Sequence, residues 1–246
     1  MNDYSKYKVV IFSLNEPTSE LSSYCFKKLG FSDVSILDSN RTFSEKFIDF
    51  ANLVNETDFE YYIRSDSDRF VFGGMCDLVD SIDDKHQHFE GYGFDYFMNK
   101  FRGATPQVYR RDVLVKLFNN NSLMENVPKP ENNFCNRARV KGVSKKLFTN
   151  LHDYYQLPSK VIDTFLNRMI RDGSVHYDLN YIKELVPHYI NAFDIAMSQY
   201  RTGDYSRDMN YKNFDYLDED FVMHIDLDKM YYKLNKIYNK LDGNLK

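Results

Sequence analysis

The first seventy residues alternate short apolar runs with amphipathic stretches, and this alternation limits the folds open to the chain. Lys8-Val9-Val10-Ile11-Phe12-Ser13-Leu14 is apolar almost throughout and ends at Asn15-Glu16-Pro17, as suits a strand buried inside a parallel sheet. Ser19 to Leu29 has a helical pattern and closes at Gly30, a natural helix stop. Val34-Ser35-Ile36-Leu37 is a second strand running into Asp38-Ser39-Asn40, and Ser44 can cap a helix carrying Phe47, Ile48, Phe50, Ala51 and Leu53. Phe59 to Arg64 is a third strand, which runs into Ser65-Asp66-Ser67-Asp68. A β-α-β-α-β order implies α/β architecture, with a mostly parallel, Rossmann-like sheet, right-handed crossovers and flanking helices.

Two of these strands end in aspartate. Open α/β sheets place their ligands at the carboxyl ends of strands, and carboxylates there can hold a hard divalent cation and, through it, a diphosphate. An isolated Asp-x-Asp is more often a solvated turn. Asp38 together with Asp66 and Asp68 on one sheet edge favours a site. A calcium loop does not fit, because Phe70 and Val71 stand where an oxygen ligand and a glycine are needed.

Further along, Phe70 to Asp80 is expected to begin a helix, with Gly73-Gly74 allowing a close turn. His86 and His88 flank Gln87 in a polar loop and can share a face, although such pairs seldom bind metal. Gly91 to Met98 is strand-like, and Gly91-x-Gly93 lacks the remaining features of a dinucleotide fingerprint. Gly103 to Asp112 combines small residues with Arg110 and Arg111, a pattern that suits either a backbone lying close to a substrate or an ordinary turn. Val113 to Phe118 is amphipathic, and Asn119 to Asn133 reads as a loop. Phe134 to Lys141 is a short helix, and Lys146 to Thr149 a strand that delivers His152. Beyond Pro158 the pattern is helical, over Ser159 to Ile170, over Tyr181 to Tyr200 with a break near Pro187, and over a basic amphipathic tail from Asp228 to Leu241. The expected division is a catalytic domain over residues 1–152 and a helical region over 153–246, serving the acceptor side or an oligomer contact.

A chain of 246 residues with 43% hydrophobic content can bury a sizeable core. A net charge of -4 argues against a general nucleic-acid coat protein. Frequent Asn, Asp, Lys and Tyr fit an AT-rich bacterial or viral coding sequence. Cys25, Cys76 and Cys135 form no Cys-x-x-Cys pair, which fits a reducing compartment rather than a disulfide framework. The first residues lack a signal peptide's cationic and apolar regions, and no early apolar run can span a bilayer, so a cytoplasmic location is expected.

Taken in order, several of these pieces resemble the GT-A-fold nucleotide-sugar glycosyltransferases, particularly the inverting family 2. They are the first strand with Leu14-Asn15-Glu16, the second ending in Asp38, Phe50-Ala51-Asn52, Asp66-Ser67-Asp68, the Gly103 to Arg111 block, and Glu131-x-x-Phe134-Cys135-x-Arg137-Ala138 with His152 downstream. The resemblance covers roughly residues 6 to 152 and implies a metal-dependent transferase that moves a sugar from a nucleoside-diphosphate-sugar to a hydroxyl acceptor. It implies that Asp38, as a buried carboxylate, accepts a hydrogen bond from the nucleotide's base, that Asp66 lies by the ribose and the metal's water shell, and that Asn15 and Arg64 are further donor contacts. Asp68 would bind Mn²⁺ or Mg²⁺ directly, with His152 as a further metal or diphosphate contact and His224 as its rival. Glu131 falls where the family carries its catalytic Asp and would deprotonate the acceptor, but Glu131-Asn132-Asn133 departs from the family's acidic cluster. Glu125 or Asp153 could substitute, and a retaining outcome stays open. Arg110, Arg111 and Arg137 are candidate phosphate or acceptor contacts. The acceptor is a glycan or lipopolysaccharide; the alternatives are a hydroxymethylated base in viral DNA, suggested by Lys229, Lys233, Lys236 and Lys240, and a non-catalytic binding module.

Overall fold

The computed structural model describes residues 4–38, 41–120, 130–154, 156–172, 189–203 and 225–245. Glu125 and His224 lie outside these residues, as do residues 121–129 of the expected Asn119 to Asn133 loop and residues 181–188 of the expected Tyr181 to Tyr200 helix. The chain forms two compact units: Met1–Phe94 with Phe101–His152 and Asp226–Lys246, and Asp95–Lys100 with Asp153–Ile225.

The first unit is built on a mixed sheet. Its strands are β1 (Tyr7–Ser13), β2 (Val34–Asp38), β3 (Tyr61–Asp66), β4 (Arg69–Val71), β5 (His88–Asp95), β6 (Lys100–Arg110) and β7 (Gly142–His152). They lie in the order β2-β1-β3-β6-β5-β7-β4. β1 is buried throughout and pairs in parallel with β2 and β3, with Ser13 opposite Asp38 and Phe12 opposite Asp66. The two aspartates therefore flank the end of β1 on one sheet edge.

Beyond β3 the sheet departs from the mostly parallel expectation. β6 runs antiparallel to β3, and β4 runs antiparallel to β7. Only four residues, 96–99, join β5 to β6, too few for a parallel crossover, which takes a dozen or more. The sheet also curls. Asp66 and Arg69 are three residues apart and so can be separated by at most about 11 Å. In a flat sheet of this order, β3 and β4 would stand four strand spacings, about 19 Å, apart. The sheet must therefore bend until its β4 edge meets the end of β3.

Helices cover the sheet: α1 (Ser19–Lys28), α2 (Phe43–Glu56), α3 (Gly73–Asp80), α4 (Arg111–Asn119) and α5 (Pro130–Arg137). Gly30 follows α1 at φ +97°, in the left-handed region that a glycine enters freely. Thr42 rather than Ser44 caps α2. Its hydroxyl accepts from the Glu45 N–H at 3.3 Å, and Glu45 Oε2 accepts from the Thr42 N–H at 2.8 Å, a reciprocal capping box. Ser44 is buried one residue inside the helix. The expected helix from Phe70 begins only at Gly73, because Arg69–Val71 pairs with Asn150–His152 as a strand. The apolar faces of α2 and α4 close over Val10, Phe12, Tyr62 and Tyr109 in one core cluster, with Phe134 of α5 among them.

The first unit ends in α8 (Leu227–Gly243), which buries Leu234 and Tyr238. The Tyr238 hydroxyl accepts from the Gly74 N–H at 3.0 Å and donates to the Phe148 carbonyl of β7, while its ring stacks on Phe148 at 4.4 Å. In the second unit, α6 (Pro158–Asp172) and α7 (Tyr189–Thr202) pack Phe165 and Met169 against Ala192, Phe193 and Ala196. Arg168 makes 3.0 Å bonds to both carboxylate oxygens of Asp95 and a 2.8 Å bond to Asp153. Among the described residues, no helix is long and apolar enough to cross a membrane.

Gly74 is where α3 comes closest to β7. A Cβ added there would lie 1.8 Å from the Phe148 carbonyl oxygen, inside any permitted contact. Gly74→Ala is therefore expected to lower unfolding stability by about 2–3 kcal/mol, since the helix must shift to relieve the overlap. Urea denaturation measures the loss. Gly73→Ala, whose Cβ would have nothing within 4 Å, serves as the comparison and is expected to be near neutral.

Candidate functional site

The curl brings three chain segments to one place: the end of β1, the β3–β4 link, and the end of β7. The link is Ser67-Asp68. The Ser67 N–H donates to the Phe12 carbonyl at 3.0 Å, and its buried hydroxyl donates to Glu16 Oε2. Glu16 Oε2 also accepts from the Leu14 N–H at 3.0 Å, so one carboxylate ties the β1 loop to the link. Asn15 holds a left-handed conformation at φ 58°, which Asn tolerates better than most residues. Its N–H donates to Asp38 Oδ1 at 2.5 Å. Asp38 is exposed, not buried as the sequence reading had it, because β2 is the outer strand of the sheet.

Arg64 is buried inside the sheet, and its guanidinium lies 4.6 Å from the Phe43 ring centre and 5.2 Å from that of Phe12. Nη2 forms an ion pair with Asp66 Oδ1, and Nη1 reaches Gln107 Oε1 at 3.5 Å. Gln107 Oε1 also accepts from the Tyr109 hydroxyl at 2.8 Å. Arg64 thus faces protein on all of these sides, and the structure gives it a supporting contact to Asp66.

Asp68 is directed toward β7. Its Oδ2 lies 3.4 Å from His152 Nε2, and Arg69 Nε is 4.0 Å from Oδ1. Burial works to raise the Asp68 pKa, but the His152 and Arg69 charges and the hydrogen bond from His152 outweigh it. The carboxyl is held well below the usual carboxylate range. His152 is itself buried and sits opposite Arg69 in the β4–β7 register. Asn150, two residues before it and hence on the same face of β7, accepts from Arg69 Nη1 at 3.4 Å. Sequence reading missed Arg69 and Asn150, although the two-residue strand period from His152 points at Asn150.

A carboxylate oxygen and an imidazole nitrogen at this separation are a donor set that fits a divalent cation. Asp68, His152 and the chain-adjacent Asp153 are all metal-ligating residue types. Asp66 is turned to Arg64 instead. Glu131 lies in the first turn of α5, and its side chain lies outside the described residues. Asp153, an alternative base, is buried and bonded to Arg168 and Gln156.

Arg110 and Arg111 lie away from the site. Arg110 is opposite Tyr61 at the start of β3, five residues or roughly 16 Å from Asp66 along the strand. Arg110 bonds to Asp112 at 2.8 and 3.0 Å, and Arg111 pairs with Asp58 at 3.2 Å. The antiparallel direction of β6 carries them to the far edge, where with Phe59 and Glu60 they line an open cleft of about 590 Å³. His86 and His88 form no metal pair either. His86 Nδ1 meets Asp83 at 2.8 Å, and His88 stacks on Tyr109 at 4.6 Å.

No protein-family model matches the chain, and no curated protein matches it by sequence. Solved structures with a similar outline include A197 from STIV, 9% identical, with a TM-score of 0.44 over 56% of this chain and 82% of that one. CMP:2-keto-3-deoxy-manno-octonic acid synthetase complexed with CTP is 10% identical, with a TM-score of 0.41 over 58% and 90%. The glycosyltransferase GlyE of Streptococcus pneumoniae TIGR4 is 11% identical, with a TM-score of 0.34 over 80% and 64%. Likenesses this distant carry no weight for the chemistry, which rests on the residues of the site.

His88, with Tyr109, belongs to the packing behind Arg64. Burial, aided by the Arg64 charge, pushes its pKa down from 6.5 to about 4. As pH falls, the unfolded chain takes up this proton first, so the contribution is complete above pH 6.5 and is lost as pH falls toward 4. The expected loss across that window is about 3 kcal/mol. His88→Phe retains a ring against Tyr109 and should flatten this part of the stability–pH curve. Equal slopes for the two proteins in urea titrations would show that His88 is not the group responsible.

Proposed function

We propose that the protein is a metal-dependent glycosyltransferase that uses a nucleoside-diphosphate-sugar donor. The observation carrying this reading is the pairing of half-buried Asp68 with buried His152 at 3.4 Å, beside the strand ends that carry Asp38 and Asp66. Asp68 and His152 would hold Mn²⁺ or Mg²⁺. Bound there, the cation supplies positive charge against the developing charge of the leaving diphosphate.

The chain's own residues have separate tasks in this reading. Asp66, steadied by Arg64, accepts a hydrogen bond from the donor's ribose. Asp38, with Asn15 beside it, accepts one from the base. Glu131 takes the proton from the acceptor hydroxyl as its oxygen bonds to the anomeric carbon, while the bond from that carbon to the diphosphate oxygen breaks. Attack from the face opposite the diphosphate inverts the anomeric centre. The glycosyltransferase family 2 resemblance supports the assignments of Glu131 and inversion, and a glycan or lipopolysaccharide hydroxyl is the acceptor that goes with them.

A thermal-shift screen of nucleoside diphosphates and nucleotide sugars, with and without Mn²⁺, tests the donor site directly, since ligands that bind only the folded state raise its midpoint. At least one diphosphate is expected to stabilise the protein in a manner that requires the metal and disappears with chelator. Asp68→Ala should abolish the metal-dependent part of the shift and lower donor hydrolysis by about a hundredfold or more. Undiminished metal-dependent hydrolysis in that variant would overturn the proposal.

A further inference from the structure

Away from this site, α8 carries four lysines in a single row. Lys229, Lys233, Lys236 and Lys240 are separated by four, three and four residues. At 100° per residue they fall within a band of roughly 60° that runs about 16 Å along the axis. All four are exposed. The opposite face, with Leu234 and Tyr238, is buried in the first unit, so the row points outward.

A row of lysines on a helix is often no more than a solvated face. Two observations set this one apart. Asp228, the acidic residue in the first turn, is engaged by α1: it pairs with Lys28 at 3.1 Å and accepts a bond from the Tyr24 hydroxyl. In addition, two of the most exposed large hydrophobic side chains lie here, Tyr232 at 64% beside the row and Leu245 at 55% just past the helix.

We propose that this face of α8 is a peripheral docking surface for anionic membrane lipids. A straight basic row flanked by exposed Tyr and Leu matches an interface in which ammonium groups meet lipid phosphates and the apolar side chains enter the headgroup layer. Nucleic acid fits less well. Its affinity rests on many phosphate contacts spread over a surface, whereas this chain is acidic overall, with a net charge of -4. A bilayer touches only the one outward face.

The test is flotation of the full-length protein with vesicles of phosphatidylcholine alone and of phosphatidylcholine mixed with phosphatidylglycerol, over a range of salt. Binding is expected only to the anionic vesicles and should weaken as salt rises. Replacing the four lysines together with Gln should reduce binding by about a hundredfold or more, while replacing them with Arg should preserve it. Replacing Lys85, Lys116, Lys141 and Lys146, four exposed lysines elsewhere on the surface, with Gln is the charge-matched control and should leave binding intact, and the circular-dichroism spectrum of each variant confirms folding. No binding to anionic vesicles at low salt, equal binding to neutral ones, full binding by the Gln variant, or tighter binding to duplex DNA at matched salt would each overturn the proposal.

Discussion

The two-residue link between β3 and β4 constrains the first unit more than any other feature. Ser67 and Asp68 must carry the chain from the third position of a seven-stranded sheet to its outermost strand. Two residues cannot cross four strand spacings in a flat sheet, so the sheet must curl. Once it has curled, β7 ends beside the link, and the β4–β7 register sets His152 against Arg69. Asp68, one residue earlier, then meets the imidazole. The meeting of Asp68 and His152, 84 residues apart in sequence, follows from topology.

Close backbone approach makes this curl possible. Gly74 lets α3 lie against β7, and a Cβ added at Gly93 would fall 2.5 Å from the Asn150 side-chain oxygen. Asn150 can thus occupy the space beside Arg69. Tyr238 fastens the last helix to both α3 and β7 through its hydroxyl. An element late in the chain therefore braces the strand that delivers His152, which links the stability of the fold to the geometry of the site.

The parallel half of the sheet was legible in the sequence because its signals are local. Continuous apolar runs, helical spacing and terminal aspartates each lie within about a dozen residues, and β1, α1, β2, α2 and β3 all appear in the predicted order. The antiparallel half was less legible. The strand β4 is three residues long and was absorbed into a helix, since so short a segment shows no period and depends on its partner for definition. The sequence left Arg110 and Arg111 open between a substrate contact and an ordinary turn for a related reason. Which edge they reach depends on the direction of β6, and that direction is set by a four-residue connection whose sequence carries no marker of it. For His152, the strand before it was readable, but its partner was not.

Asp66 at the end of β3 and Asp68 in the link also divide the electrostatic work. Carboxylates two residues apart at one sheet edge repel one another, and like charges held close make ionisation costly. Arg64 offsets the charge of Asp66 from beneath, while His152 and Arg69 surround Asp68 and keep it ionised despite burial. Each carboxylate thus has its own cationic support, drawn from a different strand. Arg64 reaches Asp66 from two residues back along β3, and His152 reaches Asp68 from β7. The order along the chain, Arg-Ser-Asp-Ser-Asp-Arg over residues 64–69, places a buried arginine on each side of the pair. A simple solvated turn has no need of two buried arginines, since water would support its carboxylates at no desolvation cost.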